Sequence, residues 1–427
     1  NEAGESIVQD ALAFAKPYLL ESLRFIEKLR ESEGKTKIVV KIPEGQEALE
    51  KDLKEFVGDK LRNALFGDPP DGEAGKLARM QHVNALSREL VDFVKEKYAG
   101  SENAAKDFFE REVDKVVHEG LLKEGKRVDG RGVDEIRPLG ARVGLLPRTH
   151  GSAVFTRGET KTLSLLTLGA PGDQKLLEGM EFIGKKRFLH HYNFPPYAPG
   201  EVKPLRGPGR REIGHGMLAE KALLPVIPSF DEFPYTIRIV TEVLSSNGST
   251  SMASCCSSSL ALMDAGVPIT SPVAGISVGL MSEGKNWKLI ADIQGPEDHY
   301  GDMDCKIAGT LQGITALQLD VKIKGITEEM FKEALVLAKN AREKIIRQVL
   351  TQTLDKPRAE LSPLAPRVFS MDINPDKIGL LIGPGGKTIN KITADYTVEI
   401  DIDDEAGKVF VTGENADNEI KALQVIK

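Results

Sequence analysis

The hydrophobic pattern of the first 121 residues predicts helices. Apolar residues recur there at steps of three or four, which is the period of one helix face. The first series is Val8, Leu12, Ala15, Leu19, Leu23 and Ile26. Pro17 has no N–H and disfavours helix in the residue before it, so we expect a new helix to begin there. Later helices are expected over 49–65 and 109–116, with a Gly/Pro-rich stretch at 67–75 between them. We interpret this region as scaffold, because none of its residues suggests chemistry.

From about residue 124 the pattern changes to short strands that alternate with helices. Residues 235–244 place Ile237, Ile239 and Val243 on one side, which is typical of a half-buried strand. Other strands are predicted at 153–156, 160–168, 273–281, 287–293 and 316–323, and helices at 215–226, 251–265 and 328–349. Thr327 is expected to cap the last helix. The pattern indicates an α/β or α+β domain that ends near residue 355.

A proline-containing linker, 356–367, precedes a small C-terminal unit. The unit is predicted as strand, helix, glycine turn, helix, two strands and a final helix. Its turn holds Gly383, Gly385, Gly386 and Lys387, a G-x-x-G motif that lets the backbone approach phosphates closely beside a positive side chain. The motif alone also fits a plain tight turn. Together with the flanking elements it indicates a KH module, which clamps about four single-stranded nucleotides.

The charge of the chain has to be considered locally. The 427 residues carry a net charge of −7, whereas phosphate contacts need clustered Lys and Arg. Residues 184–211 are an exception, with seven Lys or Arg against Glu201 and with interleaved aromatic side chains. That combination suits a nucleic-acid single strand, and a solvated loop with aromatic anchors is the alternative.

Cysteine usage and hydropathy limit the class of protein. The three cysteines have no C-x-x-C spacing, so we expect inert thiols in a reducing compartment. No apolar run of about 18 residues is present, so no membrane span is expected. The chain starts at Asn1, which we interpret as the start of a fragment that says nothing about targeting.

A Ser/Thr-rich turn at 245–251 is the first candidate for chemistry. It follows a predicted strand and precedes a predicted helix. Hydroxyls and the unpaired N–H groups of a helix start suit an oxyanion, and a Ser-rich N-cap is the alternative.

An acidic cluster at 298–306 is the second candidate. Mg²⁺ typically takes one or two carboxylates together with substrate phosphates. In an extended segment, Asp302, Asp304 and Lys306 would share one face. A solvated acidic loop is the alternative, and Asp292 and Glu297 are either further ligands or surface. A zinc site at His190, His191, His215 and His299 is disfavoured, since no metal-binding spacing supports it.

Six segments in this order resemble the polynucleotide phosphorylase family. They are RVDGR (127–131), PRTHGS (147–152), HYNFPPY (191–197), RREIGHG (210–216), SNGSTSMAS (246–254) and GDMD (301–304). The resemblance spans the chain and implies a multidomain α+β and α/β protein. Its implied parts are the last helices of a first RNase PH-like core (1–32), an all-helical linker domain (33–121), a second, catalytic RNase PH-like core of the ribosomal protein S5 domain 2-like fold (122–355), a linker (356–367) and a type I KH domain (368–427).

The resemblance also implies an activity, namely 3′-to-5′ phosphorolysis of RNA to nucleoside diphosphates, and the reverse polymerisation. The implied phosphate site is Ser249, Thr250 and Ser251. The implied catalytic residues are Asp298, Asp304 and Lys306, with Mg²⁺ (or Mn²⁺) on the two carboxylates. The implied RNA contacts are Arg210, Arg211, His215, Gly383, Gly385, Gly386 and Lys387. Asp304 is implied as a metal ligand and, as a weaker inference, as the acid that protonates the leaving oxygen.

The implied partners are single-stranded RNA, inorganic phosphate, nucleoside diphosphates and two further copies in a homotrimer, with a helicase or endonuclease in an RNA-degradation complex. The implied location is the cytoplasm, with an organelle as the alternative. Most of the first core and an OB-fold RNA-binding domain are expected to be missing from the chain. A silent RNA-binding ring subunit is the alternative function, and retention of Asp298, Asp304 and Lys306 argues against it. A hydrolytic nuclease would need more carboxylates around two metals.

Overall fold

The computed structural model describes residues 2–39, 46–67, 75–181 and 183–427. The N-terminal region is helical, as predicted, and the Gly/Pro-rich stretch at 67–75 lies mostly outside the described residues. Its helices are α1 (Glu5–Glu33), α2 (Gln46–Phe66), α3 (Lys76–Lys97) and α4 (Glu102–Glu124). Helices α2 to α4 form a hydrophobic cluster that includes Leu53, Leu61, Leu90 and Phe109.

Helix α1 differs from the prediction in two ways. Pro17 lies inside it, so the expectation of a new helix there is wrong. A proline removes one backbone hydrogen bond, and the bonds of the turns on either side continue this 29-residue helix. Its apolar side chains are not buried either: Leu12 and Leu19 are 48% and 61% exposed. Glu5, at the start of the helix, pairs with Arg342 at 2.7 Å.

The central domain has two sheets around one buried helix, which confirms the mixed α and β prediction. Its first half contains β1 (Leu139–Val143), β2 (Gly151–Arg157), β3 (Thr160–Gly169), β4 (Lys175–Glu178), β5 (Ile183–Lys186), β6 (Phe188–Asn193), α5 (Arg210–Leu223), β7 (Thr236–Ser245) and α6 (Thr250–Asp264). Its second half contains β8 (Ala274–Glu283), β9 (Asn286–Ala291), α7 (Gly295–Tyr300), β10 (Met303–Gly309), β11 (Ile314–Val321), α8 (Glu328–Ile345) and α9 (Thr351–Thr353).

The sheet order explains why the functional segments converge. The five-stranded sheet has the order β1-β2-β3-β7-β6, and the four-stranded sheet has the order β11-β10-β8-β9. Helix α6 contacts strands of both sheets, and every one of its 15 side chains is buried. The loop before α6 is therefore held between the two sheets, with β10 close by.

A cluster of buried hydroxyls joins β3, β6 and β7 to α6. Ser164 Oγ lies 2.7 Å from both Thr241 Oγ1 and Ser257 Oγ, and His190 Nε2 lies 3.0 Å from Ser258 Oγ. Burial, together with the charge of His191, lowers the pKa of His190 to about 3. The folded protein therefore holds His190 neutral, as a core group.

This burial predicts a pH-dependent stability. Between pH 6.5 and about 3 the unfolded chain binds a proton at His190 that the folded chain does not bind. We expect the free energy of unfolding to fall as the pH drops below 6.5, by up to about 1.4 kcal/mol per pH unit from this residue. Urea unfolding at pH 7.5, 6.5 and 5.5 checks it. The free energy of unfolding of His190→Gln should depend less steeply on pH than that of the wild type. An equal dependence in both proteins would contradict the prediction.

The C-terminal unit consists of β12 (Arg367–Asp372), α10 (Ile378–Ile382), α11 (Lys387–Tyr396), β13 (Glu399–Asp403), β14 (Lys408–Gly413) and α12 (Ala416–Ile426). Its antiparallel sheet has the order β12-β14-β13, and the helices cover one face around Ile392 and Val411. This is the predicted KH order. Phe230 meets Phe410 edge to face at 5.4 Å, and Tyr235 OH accepts a 3.1 Å hydrogen bond from Val368 N, so the unit rests on the central domain.

Within the described residues, no helix has the length and apolar character needed to cross a membrane.

Candidate active site

The Ser/Thr-rich turn connects β7 to α6 and needs unusual backbone angles. Gly248 has φ 89°, and a Cβ at this position would lie 2.7 Å from the Ile293 carbonyl oxygen. Ser249 has φ 50°, which is left-handed and costly for a residue with a side chain. Such a conformation persists only where the surroundings enforce it, so the shape of this turn is built into the site.

The turn has the donors that an anion needs. Among the described residues, the buried hydroxyls of Ser249 and Ser251 have no hydrogen-bond partner. The first N–H groups of α6 have no acceptor within the helix, as at any helix start, and they carry the positive end of its dipole. Thr250 Oγ1 lies 2.6 Å from Tyr192 OH. A bound oxyanion would satisfy the orphaned hydroxyls, so the residues present fit inorganic phosphate.

The acidic half of the site lies on β10 and α7. Asp304 and Lys306 are both buried and share a face of β10, and the Lys306 ammonium donates to the Asp304 carboxylate. In the described chain, Asp304 Oδ1 has no hydrogen-bond partner. Burial raises the pKa of Asp304, Lys306 lowers it, and the charge of Asp298 raises it again.

These carboxylates fit a hard cation that the substrate helps to hold. No group of three or more His, Cys, Asp or Glu side chains within the described ranges is arranged as a metal site. Two carboxylates, one with a free oxygen, match the small protein share of an Mg²⁺ site that substrate phosphates complete. Asp302 is bonded to the end of β8. It precedes β10, and its carboxylate accepts bonds from Ser282 N and Oγ, each at 2.6 Å.

Asp292 and Glu297 are neither metal ligands nor surface, so both predicted alternatives are wrong. Asp292 is fully buried, and its carboxylate contacts Arg131, Arg137 and Arg157 at 2.7 to 3.2 Å. Glu297 is likewise buried and pairs with Arg127 at 2.6 Å. Carboxylates inside a protein are paired because an unpaired charge is too costly there. Sequence distance conceals these partners.

The arginines of this buried cluster also hold the turn. Arg137 donates to the carbonyl oxygen of Asn247, and Arg157 Nη2 donates to that of Ser249 at 2.9 Å. From the helical region, Lys76 Nζ donates to the carbonyl oxygen of Ser246 at 2.6 Å. No sequence pattern indicates any of these three cations. Arg137 and Arg157 are scattered single residues, and Lys76 belongs to a region interpreted as scaffold.

The basic segment is divided in the structure. Lys186 pairs with Glu220 at 2.5 Å, and Arg187 donates to backbone carbonyls. Arg210 and Arg211 are exposed at the start of α5, where the Arg211 guanidinium lies 4.5 Å from the centre of the Phe194 ring. Phe194 and Arg211, together with neighbouring prolines, line a groove of about 730 Å³.

His215 lies where the parts of the site meet. Its ring packs edge to face on Tyr192 at 5.3 Å, and Tyr192 in turn contacts Thr250. Burial lowers the pKa of His215 to about 3, and the charges of Arg211 and Lys306 add to this effect. His215 is therefore neutral at physiological pH and, through Tyr192, connects α5 to the turn. His190 and His299 do not approach it: His190 lies in the hydroxyl core and His299 packs on Tyr300.

The G-x-x-G turn lies between α10 and α11 and requires its glycines. Gly383, Gly385 and Gly386 have φ between 62° and 78°, and a Cβ on Gly383 would collide with Thr388. Lys387 is exposed at the first position of α11. The turn therefore presents backbone and a positive charge to solvent, as a phosphate contact needs.

Comparison with known proteins agrees with this architecture. Residues 135–268 match the 3′ exoribonuclease family, domain 1, and residues 368–427 match the KH domain. An archaeal structure, the Archaeoglobus fulgidus exosome with RNA bound to the active site, aligns with a TM-score of 0.46 and 16% identity over 56% of this chain and 98% of that chain. A similarity of that degree carries no functional argument.

Bacterial relatives match the entire chain. The polyribonucleotide nucleotidyltransferases of Heliobacterium modesticaldum, Desulfitobacterium hafniense and Anoxybacillus flavithermus are 48%, 47% and 48% identical to all of it. The chain spans 59%, 58% and 60% of their respective lengths. Its helical region, its 3′ exoribonuclease domain and its KH domain thus all lie within the matched length, and the chain is similar throughout to polyribonucleotide nucleotidyltransferases.

Proposed function

We propose that the chain carries the phosphorolytic centre of a 3′-to-5′ exoribonuclease. The observation that carries the proposal is that the oxyanion-binding turn leads into α6, which packs against β10, the strand of the buried Asp304–Lys306 pair. Asn247 of the same turn is hydrogen-bonded to the start of α7, the helix of Asp298. In the forward reaction an oxygen of inorganic phosphate attacks the phosphorus of the terminal phosphodiester. The bond to the 3′ oxygen of the preceding nucleotide breaks, that oxygen takes a proton, and a nucleoside diphosphate leaves. The reverse reaction extends RNA from diphosphates.

The residues of this chain act by binding the reactants in place and by stabilising charge. Ser249, Thr250, Ser251 and the start of α6 would bind the attacking phosphate in line with the scissile bond. Lys306 would stabilise the negative charge that spreads over the transferring phosphoryl group. The chain needs no covalent intermediate, because both reactants are positioned next to each other.

Asp298 and Asp304 would hold Mg²⁺, with Mn²⁺ as a substitute. Bound there, the ion supplies Lewis-acid charge stabilisation to the phosphate oxygens. The raised pKa of Asp304 also suits a group that gives a proton to the leaving oxygen. We keep that role secondary, because Lys306 and a divalent cation both favour the carboxylate form of Asp304.

RNA would be held at two places. Arg210, Arg211 and His215 would steer the 3′ end, with Phe194 beside Arg211 as a stacking surface. The turn from Gly383 to Lys387 would clamp an upstream part of the strand. A homotrimeric ring, association with a helicase or endonuclease, and a cytoplasmic location complete the proposal on the basis of the family.

A product analysis tests the activity. The chain is incubated with short single-stranded RNA, Mg²⁺ and labelled inorganic phosphate. Labelled nucleoside diphosphates are the expected product. Monophosphates formed without added phosphate would indicate a hydrolase instead, and RNA retention without turnover would indicate a silent binding subunit.

Removal of residues 368–427 should separate binding from chemistry. Loss of the KH unit removes the contacts to about four nucleotides, so RNA affinity should fall by about a hundredfold, while the rate at saturating RNA stays within about threefold. Fluorescence anisotropy and initial rates measure the two effects. Lys387→Ala in the intact chain serves as the milder control. An equal loss of RNA affinity and of maximal rate would contradict the separation of binding from chemistry.

A further inference from the structure

The turn and the acidic helix α7 are connected by one buried side chain, that of Asn247. Asn247 is 3% exposed and lies in the turn, but its amide group points away from the Ser and Thr hydroxyls. Its Oδ1 accepts a 3.2 Å hydrogen bond from Gly295 N, the first residue of α7. Its Nδ2 donates to Gln294 Oε1 at 3.3 Å and to Glu159 Oε2 at 2.7 Å.

The connection reaches Asp298 through the backbone of α7. Asp298 N donates a 2.8 Å hydrogen bond to the carbonyl oxygen of Gln294, the residue that caps this helix. The Asn247 side chain therefore bonds to Gln294, and the carbonyl oxygen of Gln294 accepts the backbone N–H of Asp298. A displacement of α7 would break the Gly295 bond or pull the turn with it.

The backbone of Asn247 is fixed equally firmly on the other side. Its N–H donates to Thr160 Oγ1 at 3.0 Å, and its carbonyl oxygen accepts from Arg137. Because both the main chain and the side chain are held, Asn247 cannot change rotamer without losing buried hydrogen bonds. It behaves as a rigid spacer between the two halves of the site.

Two other side chains each bond to one half. The Lys76 ammonium donates to the carbonyl oxygen of Ser246 in the turn, and Tyr300 of α7 donates a 2.7 Å hydrogen bond to Glu110. These two residues provide one-sided comparisons for a variant at Asn247.

We infer that Asn247 is a positioning residue that sets the distance between the phosphate turn and the carboxylates of the metal half, so that phosphate and divalent cation bind as one unit. The inference rests on the proposed function, since it assigns phosphate to the turn and the cation to Asp298 and Asp304. Asn247 itself touches neither ligand.

Binding measurements on the intact chain test it without relying on turnover. Phosphate binding is followed by calorimetry, and Mn²⁺ binding by electron paramagnetic resonance, each with and without the other ligand. In the wild type, each ligand should strengthen binding of the other by at least about fivefold. Asn247→Leu should weaken binding of both ligands. In this variant neither ligand should strengthen binding of the other.

One-sided variants make the result specific. Lys76→Met should weaken binding of phosphate alone, and Tyr300→Phe should weaken binding of Mn²⁺ alone. Thr162→Val removes a buried hydroxyl from the same sheet without touching the turn or α7, and should leave both unchanged. If Asn247→Leu does not fold, Asn247→Asp keeps the acceptor for Gly295, sets a carboxylate against Glu159, and should show the same pattern with smaller amplitude.

The possible failures are distinguishable. A wild-type chain that binds neither phosphate nor Mn²⁺ would overturn the proposed site and this inference together. A wild type with mutual strengthening that persists in the Asn247 variants, or is lost for one ligand only, would overturn the role of Asn247 and leave the proposed site intact.

Discussion

Asp304→Asn should lower the rate of phosphorolysis by about a thousandfold or more, while RNA affinity stays within about twofold. The substitution removes the carboxylate that contacts Lys306 and that would hold the divalent cation. It keeps the size of the side chain, so the buried site retains its packing. Release of nucleoside diphosphate measures the rate, and fluorescence anisotropy measures RNA binding.

Asp320→Asn is the matched control for this change. Asp320 lies directly opposite Asp304 on β11, carries the same charge and is exposed. The variant loses a carboxylate from the same strand pair but not from the site. Its rate of phosphorolysis should therefore stay within about threefold of the wild type, since screened surface charges act weakly. An unimpaired rate in Asp304→Asn would remove Asp304 from the mechanism.

Asp292→Asn should be the most destabilising single change in the central domain, costing about 3–5 kcal/mol of the free energy of unfolding. Its carboxylate contacts three arginines with no access to water. Burial alone would raise the pKa of Asp292, but Arg157, Arg137 and Arg131 together hold it far below the ordinary value. Asparagine would leave these three guanidinium groups without a counter-charge.

Denaturant unfolding of the variant and the wild type at pH 7 measures the loss. The difference should shrink below about pH 4, because there the unfolded wild type binds a proton at Asp292 that the folded protein still excludes. Asp231→Asn removes an exposed partner of Lys408 and should cost less than about 1 kcal/mol. A similar cost for both variants would show that the arginine cluster does not depend on Asp292.

The same arginines give Asp292→Asn a functional consequence. Arg137 and Arg157 hold the carbonyl oxygens of Asn247 and Ser249 in the turn. A cluster that loses its central charge should therefore also loosen the phosphate site, so stability and phosphate binding are tied to one buried carboxylate. This explains why a strained residue such as Ser249 is tolerated beside the centre of the domain.

Local patterns predicted most of the strands and helices, and they indicated the residues of both halves of the candidate site. Strand β7 follows from alternation, and α6 follows from the hydroxyl-rich helix start that ends the turn. Asp304 and Lys306 share a face because side chains alternate along a strand. The G-x-x-G turn depends on positive φ, which glycine alone adopts freely.

Contacts between distant segments were decided only by the tertiary structure. Asp292 meets Arg137 across 155 positions, and Gly295 meets Asn247 across 48, so no periodicity indicates either pairing. Pro17 remains within a helix, because the hydrogen bonds of the turns around it outweigh the local preference. The sequence by itself determined which side chains can bind phosphate, a cation and RNA, since that is a property of residue type. Their distances, burial and charge states came from packing, which depends on the whole fold.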